Sequence, residues 1–451
     1  MSPAPGDDPR AVSPAPAGAP RVAVVGAGWA GLAAAVRLVQ GGASVSLFEM
    51  ARRPGGRARQ ADGAGQGFDN GQHILIGAYA ATLDLMRSVG ADPAHLLLRQ
   101  PLALVDHTGR GLQLPPGPPL PAFARAVLAT RHWALSDRLA LLAAAGGWLA
   151  RRFRCPPGWT VQQLCRRLPA AVQAELIDPL CVAALNTPMA QASAAVFLRV
   201  LRDALFSGRG SADLLLPRAP LSALLPDPAW HWLATHGAAL HAGHRVGRLQ
   251  ADGTRWRLDG EVFDRVVLAC SATEAARLAL PVAPGWAATA SALRYEPIAT
   301  AWLRDDRLQR PQPMVALPPG PQAPAQFAFN LGRLHHDRAS QGVWTFVASS
   351  AAPWLESGLA ACGQAMLAQA RRAFPGHFLG ADAQVLLHTA AERRATFACT
   401  PALVRPAMQV APGLLAAGDH VAGPYPATLE GAVRSGAAAA GFCLRRDQTQ
   451  A

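Results

Sequence analysis

The chain contains no lysine. All 42 of its Lys/Arg residues are arginine, set against 29 acidic residues in a chain of 451, so the net charge of +13 is carried by guanidinium. Abundant Ala, Arg, Gly and Pro without Lys points to coding bias, and no basic block with interleaved aromatics forms a nucleic-acid module. Arginines spread over a surface suit an anionic membrane instead. The seven cysteines, at 155, 165, 181, 270, 362, 399 and 443, contain no C-x-x-C pair. Disulfide-framework and metal-site spacings are both missing, which suits a reducing cytosol and argues for no metal. Residues 1–20, "MSPAPGDDPRAVSPAPAGAP", lack the apolar centre of a signal peptide and read as a disordered tail. The longest central apolar run, residues 139–150, is too short to cross a bilayer. These absences together point to a cytoplasmic location.

What is present is a large apolar core. A hydrophobic fraction of 51% with 16% charged residues excludes disorder. The run "RVAVVG" (21–26) reads as a strand, residues 29–42 as a helix stopped by a Gly pair, and "ASVSLFE" (43–49) as a returning strand. Pro-rich stretches at 114–123 and 317–326 read as loops. Residues 121–240 look mainly helical. Residues 244–272 turn to strands, with "ADG" and "LDGE" as hairpin turns. Further strands are expected at 295–305, 326–332, 343–350 and 413–419, then a helix over 427–445. There is no fixed-period repeat. The pattern predicts an α/β fold, with a Rossmann-like nucleotide-binding domain built from both chain ends (21–100, 240–290 and 400–451). An α+β substrate domain (101–239 and 291–399) is inserted, with a helical, membrane-facing region.

"VVGAGWAG" places Gly26, Gly28 and Gly31 in G-x-G-x-x-G spacing after a strand and before a helix, with Trp29 and Ala30 between them. Such glycines permit a tight turn, close approach to a pyrophosphate, and close helix–strand contact, and the helix N-terminus offers free N–H groups. Glu49, ending the second strand, is placed to accept from ribose hydroxyls. A carboxylate there disfavours a 2′-phosphate, hence NADP. Downstream, Gly55 and Gly56 allow a close backbone pass, while Arg57 and Arg59 can neutralise phosphate or brace the loop.

Residues 23–59 resemble the amino-terminal signature of the FAD-dependent amine oxidase and phytoene desaturase superfamily. The resemblance implies FAD, with the first glycine turn on the pyrophosphate and Glu49 on the adenosine ribose. "LLAAGDHVAGPYPATLEGAVRSGAAAAGFC" resembles that superfamily's carboxy-terminal flavin segment. There Gly418 and Asp419 would meet the ribityl chain, and Leu429, Glu430, Gly431 and Ala432 would open a helix whose positive end stabilises reduced flavin. "HRVGRLQADG" resembles the middle segment, with Val246 meeting adenine through its backbone. Tyr425 either lines the ring or belongs to a rigid Gly-Pro-Tyr-Pro turn.

One stretch, "FDNGQHILIGAY" (68–79), runs from a polar knot straight into an apolar segment. Asp69 and Asn70 can fix the turn, Gly71 permits close approach, and Gln72 and His73 would face the flavin or substrate. Together with "DPLCVAALNT", "ADLLLPR", "ERRATFACTPALVRP" and "GPYPATLEGAVRSG", this stretch resembles the hydroxysqualene dehydroxylase family. The resemblance implies reduction of hydroxysqualene, an allylic alcohol, to squalene with loss of water in bacterial hopanoid synthesis. It also implies a polyprenoid substrate and contact with other enzymes of that pathway. His73 and Asp178, the latter among apolar neighbours, are the candidate proton donors. Cys181, Cys270 and Cys399 read as core thiols. A substrate of roughly thirty carbons gains on the order of 20 kcal/mol by leaving water. It therefore resides in a bilayer, and residues 122–155 suit a surface-lying element on the inner face of the cell membrane. The alternatives are a carotenoid-type desaturase or an amine oxidase of the same superfamily, a non-catalytic flavin-binding assembly factor, or an NAD-dependent dehydrogenase.

Overall fold

The opening apolar run becomes the strand Arg21–Val25, with every residue after Arg21 buried. It lies inside a six-stranded sheet ordered Gln409–Ala411, Leu414–Ala416, Arg265–Leu268, Arg21–Val25, Ser44–Glu49, Ala239–Ala242. All neighbours are parallel except the edge strand Gln409–Ala411. The near-continuous burial of the inner strands is what a sheet covered on both faces requires. The computed structural model describes residues 18–61, 67–318, 320–335 and 337–445. The tail expected over 1–20 therefore lies, up to residue 17, outside the described residues.

Both chain ends meet on this sheet. The first helix, Trp29–Gln40, packs against the last, Leu429–Leu444, in one apolar cluster. A Cβ on Gly436 would come within 2.0 Å of the Ala30 carbonyl oxygen, so the backbones can approach this closely only at glycine. The same cluster takes in Leu221, Leu224, Leu225 and Leu233. This layer thus extends into residues assigned from sequence to the inserted domain.

The second sheet is antiparallel, ordered Met314–Ala316, Phe327–Asn330, Val343–Ala348, Tyr295–Arg304, Leu386–Phe397. Period-2 alternation along Tyr295–Arg304 sends Ala299, Ala301 and Leu303 towards the helix Leu359–Ala373. Ile298 and Trp302 face the other way, into a cluster shared with the helices between residues 119 and 206. The expected hairpins at "ADG" and "LDGE" form the meander Leu249–Asp252, Arg255–Leu258, Glu261–Phe263. Asp259 and Gly260 both have positive φ, as a two-residue primed turn demands.

One helix is locally underwound. Residues 170–185 run as Ala170–Val172, a π turn at Gln173–Ile177, then Asp178–Leu185. Pro179 lacks an N–H, and its ring crowds the carbonyl four residues back, at Glu175; a π turn relieves that conflict.

Candidate active site

Three glycines of the first turn have separable roles. A Cβ on Gly26 would meet the Ala269 carbonyl at 2.8 Å, and one on Gly31 the Gly26 carbonyl at 1.8 Å. Packing alone therefore demands glycine at both. At Gly28 an added Cβ would find nothing nearer than 3.9 Å. The protein leaves that space open, and Gly28 borders the main cavity. The first helix has no side-chain cap and no acidic residue in its first turn, so its N–H groups are available to an anion at the cavity wall. These features fit a dinucleotide pyrophosphate. Trp29 and Ala30 also border the cavity, although the Trp29 indole is committed to the Ala58 carbonyl at 3.0 Å.

The two glycine turns are joined directly. Gly55 N–H donates to the Ala27 carbonyl at 2.8 Å, and Gly56, at φ +60°, carries no side chain where a Cβ would lie 3.2 Å from the Gly28 Cα. Glu49 accepts from Ala27 N–H at 2.7 Å and from Ala51 N–H at 2.8 Å. A carboxylate offers about four acceptor sites, so two remain for ribose hydroxyls. Val246 is buried beside the same end of the cavity, its carbonyl taken by Arg277 at 2.7 Å.

Arg57 ties the chain's ends and middle together. It donates to Asp419 at 2.5 Å and to the Ala395 carbonyl at 2.8 Å. Burial acts to raise the Asp419 pKa, but the Arg57 and His420 charges and hydrogen bonds more than offset it and hold the carboxyl well below its ordinary range. Arg57 is therefore a brace rather than a free phosphate ligand, and Arg59 donates to the Gly56 carbonyl at 3.2 Å. Gly418 and Asp419 line the cavity, as do Leu429 and Ala432 of the last helix.

The stretch that opens on Phe68 forms the next part of the wall. Asn70 donates to the Arg57 carbonyl at 3.2 Å and to Glu392 at 3.1 Å, and Asp69 accepts from Leu221 N–H at 2.9 Å. The turn is held by partners distant in sequence rather than by a local loop of its own. Gln72 and His73 both face the cavity. The His73 Nδ1 is buried without a hydrogen-bond partner. Burial pulls this imidazole down to about 4, the Gly71 backbone offsetting part of the shift and the Arg57 guanidinium adding to it. It is thus neutral at physiological pH, able to offer or accept a hydrogen bond but holding no spare proton.

Gly31, Glu430, Gly431 and Asp178, given a flavin or proton-donor role from sequence, lie away from the cavity. Gly31 is a packing contact only. Glu430, fully buried, accepts from Ala81 N–H, Thr82 N–H, the Thr82 hydroxyl and Arg434. It staples the last helix to the N-terminus of helix Ala80–Ser88. Gly431 lets that helix close on the Tyr425 carbonyl, 1.9 Å from where its Cβ would be. Asp178 sits on the wrong side of its helix: Leu176, Ile177, Leu180, Ala183 and Ala184 line the cavity and Asp178 does not. At 100° per residue Asp178 points away from that stripe, and burial there raises its pKa. Burial likewise pushes the Cys270 and Cys399 thiols up to about 12, and all seven cysteines are free.

Sequence reasoning missed other lining residues. His420 is 3% exposed, its Nε2 buried without a partner at the cavity wall. Tyr79 and Tyr295 line the cavity too and join Tyr425, which the sequence had offered as a ring-lining residue, so all three tyrosines of the chain meet there. Burial raises all three pKa values, so each hydroxyl keeps its proton. Their rarity was the available signal. From this polar region the cavity, about 810 Å³ in volume, continues without interruption into an apolar chamber walled by Leu102, Phe123, Leu141, Ile177, Leu201 and Phe327.

The comparisons with known proteins agree with this geometry. Residues 29–444 match the family model described as flavin containing amine oxidoreductase. Two proteins named hydroxysqualene dehydroxylase are similar over nearly their whole length. That of Rhodopseudomonas palustris is 27% identical across 94% of this chain and 98% of its own. That of Sinorhizobium fredii is 26% identical across 95% and 99%. A zeta-carotene desaturase of Synechocystis is 42% identical over 89 residues, covering 20% of this chain and 17% of its own. The crystal structure of an oxidoreductase from Methanosarcina mazei has the same fold, with a TM-score of 0.69 over 93% of this chain and 99% of that one at 15% identity. With the glycine cradle, the convergent chain ends and a match spanning nearly the entire described chain, this protein belongs to the flavin containing amine oxidoreductase family and is an FAD-dependent oxidoreductase.

Proposed function

We propose that the protein reduces hydroxysqualene, or a closely similar long allylic alcohol, to the hydrocarbon with release of water. The observation that carries this reading is the continuity of one cavity from the Gly28 cradle to a chamber walled by Leu, Ile and Phe side chains. Each carboxylate on its wall already has a partner. Asp203 is held by Arg199 and Arg202, Glu274 by Arg245 and Arg277, Asp419 by Arg57, Glu392 by Asn70, and Glu49 by backbone N–H groups. Asp203, Glu274 and Asp419 are charge-paired to arginines and Glu392 and Glu49 meet neutral donors, while the Leu, Ile and Phe walls favour a hydrocarbon.

A flavin bound along this wall supplies the hydride. The alcohol takes up a hydride and a proton and leaves as hydrocarbon and water. The chain's task is to align the carbinol carbon, exclude bulk water and donate to the departing oxygen. His73 is held neutral and Asp178 faces elsewhere, so neither serves as the acid. Tyr295 lines the cavity and keeps its proton, since burial raises its pKa, so it is placed to hydrogen-bond the departing oxygen rather than to act as a strong acid. The test is anaerobic single turnover of reduced protein with hydroxysqualene, following flavin absorbance and extracted hydrocarbon. Reoxidation with squalene formation is expected. Reduction of the oxidised protein by a polyene substrate, with no response to the alcohol, overturns this reading in favour of a desaturase.

A further inference from the structure

The apolar chamber opens at a surface whose chemistry differs from the rest of the molecule. Along helix Leu135–Ala150, positions 135, 139, 142, 146 and 149 fall on one stripe at helical spacing. At the start of this stripe Leu135 and Leu139 are 57% and 53% exposed. Towards its end Leu142, Gly146 and Leu149 line the chamber, and Leu149 is itself 41% exposed. The neighbouring helix Pro119–Ala129 adds Leu120, which both lines the chamber and is exposed, and the exposed Leu128. One apolar path thus runs from bulk solvent into the cavity.

The segment that carries this path is basic. Residues 119–155 carry six arginines and a single acid, Asp137. Arg125, Arg131, Arg151, Arg152 and Arg154 are exposed. The helix pair is anchored from within, since His132 and Trp133 both bond Glu175 at 2.9 Å, so the exposed leucines sit on a fixed platform. The end of the longer helix is strained. Phe153 N–H donates to the Trp148 carbonyl and Arg152 N–H to that of Leu149, a closing motif that normally places glycine where Arg152 stands. Arg152 and Phe153 both have positive φ, a conformation uncommon for residues that carry a side chain. That strained turn aims Phe153 into the chamber mouth against Phe206, which is 45% exposed.

We infer that this face docks on an anionic lipid bilayer, with Leu128, Leu135, Leu139 and Phe206 entering the headgroup–acyl boundary and the arginines meeting lipid phosphates. The chamber mouth then opens directly onto acyl chains. The inference deepens the proposed function by naming where the hydrocarbon comes from, yet it rests on the surface and not on the direction of the reaction.

Vesicle flotation of the full chain with bound flavin tests it. The protein is expected to float with phosphatidylcholine vesicles containing phosphatidylglycerol, and to stay behind with phosphatidylcholine alone or at high salt. Removing an arginine, as in Arg131→Ser or Arg154→Ser, should weaken partitioning roughly fivefold each. The triple substitution Leu128→Ser, Leu135→Ser, Leu139→Ser should abolish flotation. It should leave flavin absorbance, near-ultraviolet dichroism and reduction of detergent-dispersed substrate unchanged, because none of the three lines the cavity. An unaltered chain that stays soluble with every vesicle, or a triple variant that floats as well as its parent, overturns the inference; the first result would assign the face to a protein partner. Flotation without turnover of the alcohol would sink the proposed reaction and leave the docking intact.

Discussion

At the polar end of the cavity Gly26 and Gly28 act within three residues of chain, whereas at the apolar end Leu102, Ile177, Leu201 and Phe327 converge from four separate segments. The polar end is made by backbone: turns, N–H groups and a helix terminus, with side chains such as Arg57 and Glu430 serving to hold segments in place. The apolar end is made by side-chain volume left unfilled between helices and a sheet. A backbone device must be local, because glycine spacing and strand–helix order create it. A void can be walled from anywhere, because dispersion and burial are indifferent to sequence distance.

The comparison can be broken most forcefully at the staples of the polar end. Glu430→Ala strips four donors of their buried acceptor and should cost about 4 kcal/mol in urea unfolding, although Glu430 does not touch the cavity. Retention of full stability would mean that the last helix is held by packing alone. Gly31→Ala should cost about 3 kcal/mol, because its Cβ collides with the Gly26 carbonyl. Gly28→Ala should leave apoprotein melting unchanged while flavin affinity, read by reconstitution and absorbance, falls at least about tenfold. Equal effects of the two glycine changes on melting would erase the distinction drawn between packing and ligand space.

At the apolar end, Leu180→Trp should fill part of the chamber. Flavin absorbance and melting should hold, while kcat/KM for the long alcohol drops about tenfold or more; an unchanged value would place the substrate elsewhere. A pH-dependent effect concerns the joint between the two ends. Burial raises the Asp69 carboxyl from 3.8 to about 7, the hydrogen bond from Leu221 N–H opposing it. The folded chain therefore binds this proton more tightly than the unfolded chain. The resulting stability is complete below about pH 4 and lost as pH rises through about 7. Asp69→Asn should remove that slope, gaining on the order of 2 kcal/mol at pH 8 once partial exposure is discounted. Parallel stability–pH curves for the two proteins would contradict it.

Much of the fold was legible. The β–α–β opening, the hairpins at Asp252-Gly253 and Asp259-Gly260, and the closing helix all carry local signals that the structure follows closely. Less legible was the reach of residues 221–242 into the parallel sheet and its core, since a short apolar helix reads the same whichever layer it covers. Within the site, Gly28, Glu49, Gln72, His73 and Asp419 border the cavity as their motifs suggested. Asp178 and Glu430 carried the right chemistry in the right neighbourhood, but a rotation of half a helical turn decides between wall and core. The pairing of Asp419 with Arg57, and of Asn70 with Glu392, spans more than 300 residues and leaves no trace in spacing.

By itself the sequence determined the nucleotide cradle and the two-ended construction of the flavin layer, because glycine turns, strand order and helix termini are properties of short stretches. Only the tertiary structure decided which acids are free, which histidine is neutral, and where the hydrocarbon chamber meets the surface. Those properties depend on the field and packing of groups brought together from distant parts of the chain, and no local pattern encodes a field.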